Sequence, residues 1–510
     1  MNDLLAHEFG VITNLIRLHA IEAPTRRALV EGGRSLTYGE LDALMDRIAC
    51  AMQRDRLRPG EAIAICAATS IEYAAVFLGA LRAGVAVAPL APSSTPQSLK
   101  RMLGDAGARA LFVDAACAEL VPDDVAVARI ALDGSGSGQA LQDWLAPIGQ
   151  HPAPVHFEPS WPFNIIYSSG TTGEPKGIVQ SHGMRWTHVR RGKSYQYGPD
   201  SVTLLSTPLY SNTTLVVFFP TLCFGGTVLL MPKFDALRYL QLAQDEHVTH
   251  TMLVPVQYQR LMARPDFDSY DLSNFRLKFC TSAPFNAALK SDVLKRWPGG
   301  LIEFYGMTEG GGTCILEAHA HPEKLHTVGL PAEGHDIRLI DDNGVEVAAG
   351  ESGEVVGHSP GMMNGYHGQA QKTREAEWYD PSGKRFIRTG DVGRFDADGF
   401  LTLFDRKKDM VISGGFNVYP SDLEAVLREH PDVHEVAVVG VPSVQWGETP
   451  VAFVVPADGA RVDAPALLRW ANDRLGKTQR LTALQLLSEL PRSAIGKVLK
   501  RELRDAWRPS

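Results

Sequence analysis

The stretch AIAICAATSIEYAAVFLGALRAGVAVAPL, residues 62–90, decides the fold class. Its two ends, AIAICA and GVAVAPL, are short apolar segments that predict buried strands, and residues 71–81 between them predict a helix. A strand, a helix and a second strand in this order are typical of a βαβ unit, in which the two strands run parallel.

The same alternation of helix and strand signals continues up to about Arg388. In SLTYGELDALMDRIACAMQRDRL, residues 35–57, Thr37 is placed to cap a helix, and Glu40 completes a capping box. Residues 131–162 are rich in Gly, Ser and Pro and predict a surface connection inside one domain. We therefore predict an α/β fold, with sheets sandwiched with helices in a large N-terminal domain over residues 1–404.

The pattern changes after Arg388 to short strands, a Gly-Gly turn and a helix. A second capping box, Ser421 with Glu424, is predicted to begin this helix, and residues 435–441 predict the strand that follows it. We expect residues 405–510 to form a small C-terminal α+β domain.

The composition excludes several classes of protein. A formal net charge of -8 argues against non-specific binding to nucleic acid or to an anionic membrane, because both need a basic surface. Six widely spaced cysteines without a CxxC pair predict neither a metal site nor disulfides, and favour a reducing, cytoplasmic location. The N-terminus does not resemble a signal peptide, and the most apolar stretches are interrupted by Arg, Gly or Pro, which predicts no membrane span.

The segment YSSGTTGEPKGIVQSH, residues 167–182, follows a predicted strand end. Glycines in such a loop let backbone N–H groups converge on phosphate oxygens. The spacing differs from that of a Walker loop, because Lys176 follows a proline and precedes a glycine. Taken alone, the segment suits either a polyphosphate site or a surface turn.

Three further segments carry chemically suitable residues. In EFYGMTEGG, residues 303–311, an aromatic side chain precedes a hydroxyl and a carboxylate, which are oxygen ligands suited to Mg²⁺. In RTGDVGRFDADGFLTLFDRKKD, residues 388–409, Asp391 is able to accept hydrogen bonds from ribose hydroxyls. In PRSAIGKVLKREL, residues 491–503, Lys497 lies in a predicted loop. Each segment alone favours a structural role.

Taken in this order, the four segments resemble the acyl-adenylate-forming superfamily of acyl-CoA synthetases, peptide-synthetase adenylation domains and luciferases. The resemblance extends over nearly the whole chain, from LTYGEL at Leu36 to GKVLKREL at Leu503. It implies an enzyme that uses ATP, Mg²⁺ and a carboxylic acid, and in the acyl-CoA synthetases also coenzyme A. It also implies that the C-terminal domain moves between the two steps of the reaction.

The resemblance assigns roles to individual residues of the N-terminal domain. Thr308 would bind the α-phosphate and, with Glu309, the Mg²⁺ ion, while Tyr305 and Gly306 would contact adenine. The pocket for adenine would also include the segment Ser282, Ala283 and Pro284. The pyrophosphate would lie in the glycine-rich loop, at Ser168, Ser169, Gly170, Thr171, Thr172, Gly173 and Lys176.

The resemblance also assigns roles near the C-terminus. Asp391 and Arg406 would hold the ribose, and Lys497 would bridge the substrate carboxylate and the α-phosphate. Lys408 matches the hinge position. The CoA arm would pass Gly414, Gly415 and Trp446.

The acid is constrained by departures from the family pattern. The usual PLFH is TPLYSN here, so Ser211 replaces a histidine that often flanks an aromatic acyl pocket. Phe304 stands where a ligase for a dicarboxylate would carry a basic residue, and no acidic residue follows Tyr210 before Pro232 to bind a substrate ammonium group. We therefore expect an aromatic, phenylpropenoid or medium-chain monocarboxylic acid. Its pocket would be lined by Tyr210, Ser211, Val256, Ala283, Gly310 and Gly311.

The acceptor and the assembly are less constrained. CoA is favoured over a carrier protein because no carrier domain is appended, and a free-standing ligase that loads a carrier protein is the alternative. A nucleotide-binding regulator on an inactive scaffold is disfavoured, because Glu309 and Lys497 are both present. A homodimer is one assembly that the sequence leaves open.

Overall fold

A computed structural model of the chain describes residues 2–168, 175–406, 409–413, 416–476, 479–493 and 496–508. These residues divide into two compact units. The first consists of Met1–Leu325, Pro331–Asp336 and Gly357–Ile387, and the second of His326–Leu330, Ile337–Val356 and Arg388–Ser510. The boundary that we predict between residues 404 and 405 lies inside the second unit.

The helices and strands are numbered separately, each in chain order. The helices are α1 (Asn2–Ala6), α2 (Ile12–Glu22), α3 (Tyr38–Arg54), α4 (Ile71–Arg82), α5 (Pro96–Ala106), α6 (Ala115–Ala118), α7 (Leu141–Trp144), α8 (His182–Arg191), α9 (Asn212–Cys223), α10 (Ala236–Asp245), α11 (Pro255–Met262), α12 (Ala287–Arg296), α13 (Ala370–Glu375), α14 (Pro420–Arg428), α15 (Ala464–Asn472) and α16 (Lys500–Ala506). The strands are β1 (Arg27–Glu31), β2 (Arg34–Thr37), β3 (Ala62–Cys66), β4 (Ala86–Pro89), β5 (Ala110–Val113), β6 (Ala128–Ala131), β7 (Gln139–Ala140), β8 (Pro162–Ser168), β9 (Lys176–Ser181), β10 (Val202–Leu205), β11 (Thr227–Leu230), β12 (His250–Leu253), β13 (Leu277–Cys280), β14 (Gly300–Gly306), β15 (Thr313–Glu317), β16 (Leu330–Pro331), β17 (Asp336–Ile340), β18 (Gly353–His358), β19 (Gly365–Tyr366), β20 (Glu377–Tyr379), β21 (Arg385–Phe395), β22 (Leu401–Arg406), β23 (Val411–Ser413), β24 (Phe416–Val418), β25 (Val433–Ser443), β26 (Gly447–Pro456) and β27 (Ala483–Leu486).

The first unit contains two mixed sheets. In one, the strand order is β19-β9-β8-β4-β3-β5-β6-β7, parallel from β8 to β7 and antiparallel at β9 and β19. The other contains the order β15-β14-β13-β12-β10-β11-β1-β2, parallel from β14 to β1. The predicted βαβ unit is confirmed, because β3 and β4 pair in parallel on either side of α4 in sequence.

The core of the first unit explains why β3 is apolar throughout. Ile63 and Ile65 point into the main core cluster, which also contains the buried side chains of α4. The intervening Ala62, Ala64 and Cys66 belong to a second cluster with apolar residues of α5. A strand buried on both faces needs no polar alternation. Sheets covered by helices on their faces confirm the predicted α/β class.

The start of α3 confirms the first predicted capping box. The Glu40 N–H donates to Thr37 Oγ1 at 3.3 Å, and the Thr37 N–H donates to Glu40 Oε2 at 2.8 Å. Two N–H groups that the helix leaves without intrahelical partners are thereby satisfied.

The second unit is α+β, as predicted. One five-stranded sheet has the order β24-β23-β26-β25, with β27 added in parallel to β26. Val438 and Val454 pack on one face with Leu423 and Leu427 of α14. On the other face, β25 and β26 pack against Leu503 of α16.

The second predicted capping box is wrong. Helix α14 begins at Pro420 with Tyr419 at the N-cap, so Ser421 lies one residue inside the helix. Proline suits the first helical position because its missing N–H would have no partner there. Glu424 instead accepts a hydrogen bond from the Val438 N–H at 2.9 Å and pairs with Lys500 at 2.9 Å.

All six cysteines are free thiols, of which Cys50 is half-buried and the other five are buried. Among the described residues, no cluster of His, Cys, Asp and Glu is arranged to hold a metal ion. The helices of the described ranges are all too short or too polar to cross a membrane.

Candidate active site

The glycine-rich loop connects two antiparallel strands of the first unit. Strand β8 ends at Ser168, as predicted from the sequence, and Ser168 faces Lys176, the first residue of β9, across the pair. The loop residues Ser169, Gly170, Thr171, Thr172 and Gly173 lie outside the described residues. Lys176 is half-buried at the end of the loop.

A second turn carries the predicted Thr308 and Glu309. Strands β14 and β15 pair antiparallel, with Tyr305 opposite Cys314 and Gly306 opposite Thr313, so residues 307–312 form the connection. The Gln180 side-chain amide, on β9, donates to the Thr308 carbonyl oxygen at 2.7 Å. This bond ties the second turn to the strand that begins with Lys176.

Gly310 is required by the close approach of two backbone segments. It has a φ of 73°, and an added Cβ would lie 1.9 Å from the Gly361 carbonyl oxygen. The Ser359 hydroxyl donates to the Gly310 carbonyl oxygen at 2.7 Å. Gly311 is similarly restricted, because an added Cβ would meet Ile387 at 2.7 Å. These two glycines fix the course of the turn after Glu309.

Tyr366 contacts both Lys176 and Glu309, and the sequence analysis did not identify it as a site residue. Its hydroxyl donates to Glu309 Oε1 at 2.9 Å, and the Lys176 Nζ lies 5.0 Å from the centroid of its ring. Burial and the Glu309 carboxylate raise the pKa of Tyr366, so the phenol stays protonated. Its sequence context, GMMNGYHG, signals only a glycine-rich turn that contains two methionines, so no pattern pointed to this role.

A buried polar network, also missed in the sequence, supports the same region. Arg185 on α8 is fully buried, and its guanidinium donates to Asn164 Oδ1 at 3.1 Å, to Asn212 Oδ1 at 2.8 Å and to Gln180 Oε1. Burial lowers the pKa of Arg185 to about 9. Gln180 thus connects a buried cation to the Thr308 carbonyl.

The predicted acid-pocket residues of the first unit lie at the ends of its strands and helices. Ser211 caps α9, accepting a bond from the Thr213 N–H at 3.3 Å, and the Thr213 and Ser282 hydroxyls are 2.6 Å apart. Ser282 has a φ of 81°, which is unusual for a residue other than glycine. Ala283 and Pro284 follow it in the loop after β13, and Val256 lies in the first turn of α11. Burial raises the pKa of Tyr210 to about 12.

The predicted site residues of the second unit lie in two places. The backbone of Asp391 on β21 is directly opposite that of Arg406 on β22. Lys497 is bonded to Ser493 twice: its N–H donates to the Ser493 hydroxyl at 3.2 Å, and its carbonyl accepts from the Ser493 N–H at 2.8 Å. Trp446, between β25 and β26, is 48% exposed. Lys408, Gly414 and Gly415 lie outside the described residues.

Comparisons with known proteins show the family to which the chain is similar. The family described as AMP-binding enzyme matches residues 16–367, and the AMP-binding enzyme C-terminal domain matches residues 422–497. A feruloyl-CoA synthase of Amycolatopsis sp is 35% identical, over 94% of this chain and 96% of its own length. An indoleacetate–CoA ligase of Aromatoleum aromaticum is 32% identical, over 97% of each chain. The crystal structure of ATP-bound MatB from Rhodopseudomonas palustris has a TM-score of 0.87 at 29% identity, over 97% of this chain and 98% of that one.

Proposed function

Because the chain belongs to the AMP-binding enzyme family, we propose that it joins an aromatic or phenylpropenoid carboxylic acid to CoA through an acyl-adenylate. It is an adenylate-forming ligase of the acyl-CoA synthetase type. The observation that carries the proposal is the contact of one tyrosine, Tyr366, with both Lys176, at the end of the glycine-rich sequence, and Glu309.

The reaction proceeds in two steps. The acid's carboxylate oxygen attacks the α-phosphorus of ATP and releases pyrophosphate, and the CoA thiolate then attacks the acyl carbon and releases AMP. Both steps bring anions together, so catalysis depends on positioning and on neutralising charge. We assign the pyrophosphate to Lys176 and the glycine-rich loop, the α-phosphate to Thr308, and the charge between carboxylate and α-phosphate to Lys497.

Mg²⁺ fits the chemistry of Glu309 and Thr308. Among the described residues, none donates a hydrogen bond to Glu309 Oε2, so one carboxylate oxygen is available beside the one that Tyr366 occupies. Carboxylate and hydroxyl oxygens are ligands that Mg²⁺ prefers, and one carboxylate oxygen is a usual protein contribution, with phosphate oxygens and waters completing the octahedral coordination. The ion would supply positive charge to the phosphates of ATP.

Several features support an aromatic acid with an uncharged tail. The rings of Phe279 and Phe304 stack at 5.6 Å, and Tyr195 packs edge-on against both. Phe279 and Phe304 belong to the strands that lead into Ser282 and Tyr305. No acidic residue between Tyr210 and Pro232 is present to bind an ammonium group. The feruloyl-CoA synthase and the indoleacetate–CoA ligase are named for aromatic acids.

Other parts of the proposal concern the whole protein. We propose that residues 405–510 move as a domain about Lys408 between the two steps, and that Asp391 and Arg406 bind ribose while Trp446 contacts CoA. The free thiols of all six cysteines favour a reducing, cytoplasmic compartment. A homodimer belongs to the proposal and is checked by light scattering.

The experiment is to measure AMP release with and without CoA, across benzoates, cinnamates and linear fatty acids. The proposal predicts AMP formation that requires CoA together with an aromatic acid. Turnover only with medium-chain acids would overturn the substrate class and leave the ligase reaction intact. Acid-dependent pyrophosphate release without consumption of CoA would overturn CoA as the acceptor and favour a carrier protein.

A further inference from the structure

We propose that Tyr366 is a positioning residue that holds Lys176 and Glu309 apart, so that each side chain stays available to the triphosphate and its divalent cation. The inference deepens the proposed function and rests on it. It depends on three side chains of the first unit, in which one tyrosine contacts a cation with its ring and a carboxylate with its hydroxyl.

The geometry separates two opposite charges that would otherwise attract each other. Lys176 Nζ is 5.0 Å from the ring centroid, and Glu309 Oε1 is 2.9 Å from the hydroxyl at the edge of the same ring. A direct ion pair would consume the charge of both side chains, and at low effective dielectric such a pair is strong. The ring gives Lys176 a favourable contact without accepting a conventional hydrogen bond, and within the described part of the chain no group accepts one from Lys176 Nζ, so the ammonium is able to donate to phosphate.

The hydroxyl also restricts how Glu309 binds a cation. Because Oε1 accepts a hydrogen bond from the Tyr366 hydroxyl, Oε2 is the oxygen left open to a single-oxygen contact with a cation. Mg²⁺ suits such a contact, whereas Ca²⁺ often takes both oxygens of one carboxylate. The hydrogen bond therefore favours the smaller ion.

The local fold makes the position of Tyr366 rigid. Tyr366 faces Ile178 across the pair of β19 and β9, and its N–H donates to the Thr373 hydroxyl at 2.9 Å. The side chain packs with Ile178, Met363 and Ile387 in a small apolar cluster, and only 8% of the residue is exposed. A ring held in this way is able to act as a spacer.

The test measures binding of Mn²⁺·ATP by electron paramagnetic resonance in the full chain, with Mn²⁺ in place of Mg²⁺. Tyr366→Phe keeps the ring and loses the hydrogen bond, and we expect about tenfold weaker binding, because a hydrogen bond to a charged group is lost. Tyr366→Leu also removes the ring, and we expect a further loss of about threefold to tenfold.

A double-substitution cycle distinguishes a spacer from a merely structural tyrosine. If Lys176 collapses onto Glu309 in the Tyr366→Leu variant, then Lys176→Met costs less binding in that variant than in the unsubstituted chain. Tyr239→Phe is the matched control. It removes a buried hydroxyl that donates to Thr251 Oγ1 at 2.7 Å, and we expect unchanged Mn²⁺·ATP binding.

The inference is overturned if the Tyr366 variants bind Mn²⁺·ATP as tightly as the Tyr239→Phe control does. It is also overturned if the losses in the cycle are additive, or if the unsubstituted chain does not bind Mn²⁺·ATP. The proposed function fails differently. A chain that binds Mn²⁺·ATP as described, yet releases no pyrophosphate with any acid, would contradict the ligase reaction and leave the role of Tyr366 in nucleotide binding intact.

Discussion

At the scale of single residues, the glycine after Glu309 shows why the turn has little sequence freedom. A side chain at residue 310 would have to overlap the Gly361 carbonyl and adopt a positive φ at the same time. The TEGGG sequence drew attention to this turn, but the segment that packs against it lies about fifty residues further on. The need for glycine was therefore invisible without the structure.

Gly310→Ala should lower the thermal midpoint and the rate of adenylate formation. The strained φ alone costs about 1–2 kcal/mol, and the overlap with Gly361 adds to it. Gly104→Ala is the control, because Gly104 lies in α5 with no atom within 4 Å of an added Cβ. Alanine there should raise stability by about 0.5–1 kcal/mol. Equal melting temperatures for the two variants would contradict the close approach at Gly310.

Buried histidines should make the fold sensitive to acid. Burial lowers the pKa of His182 and of His250 to about 4, below the unfolded value of about 6.5. The unfolded chain therefore binds more protons between these values, and stability falls as the pH drops from about 6.5 towards 4. Each histidine contributes up to about 3 kcal/mol across that range.

Thermal unfolding measured from about pH 7.5 down to about pH 4.5, an interval in which histidine side chains titrate, checks this expectation. His250→Gln should flatten the dependence, provided that the variant folds at neutral pH. A melting temperature that does not change over this range would show that neither imidazole is buried as described.

At the scale of helices and strands, the two capping signals had different outcomes for a physical reason. Within the described ranges the Thr37 and Glu40 side chains bond only to each other's residue, and they cap α3 as predicted. Before α14, Pro420 occupies the first helical position, and Glu424 is used by the Val438 N–H and by Lys500. Tertiary contacts thus override a local pattern that is identical in spacing.

Alanine substitution of Thr37 and of Ser421 distinguishes a true N-cap from a residue inside the helix. Thr37→Ala should lower the stability of the first unit by about 1 kcal/mol, because the helix loses its cap. Ser421→Ala should change the stability of the second unit by less than about 0.5 kcal/mol, since Ser421 is not at the N-cap. Urea titrations of both variants give the comparison. A larger loss at Ser421 would restore the predicted capping box.

At the scale of the whole molecule, the sequence predicted the fold class and the family but not all of the supporting contacts. Strand and helix periodicity are local properties, so the βαβ pattern was readable. Tyr366 and Arg185 act through partners distant in sequence, and the segments of the second unit are discontinuous. Such contacts leave no local pattern. The four motifs were found because their chemistry is concentrated in short segments.

Lys497→Ala should separate the two steps of the reaction. Loss of its charge should slow adenylate formation on the order of 100-fold or more, because charge neutralisation of the α-phosphate is lost. Thioester formation from a supplied acyl-adenylate should be spared. Quenched assays measure the rates of adenylate formation and of thioester formation separately. Equal slowing of both steps would contradict the role given to Lys497.

The most direct measurement is acid-dependent exchange of labelled pyrophosphate into ATP in the absence of any thiol. Reversible formation of an enzyme-bound acyl-adenylate predicts exchange with an aromatic acid, no exchange without acid, and no need for CoA. Exchange that proceeds without acid, or ATP cleavage with an acid but without exchange, would contradict adenylate formation as the first step.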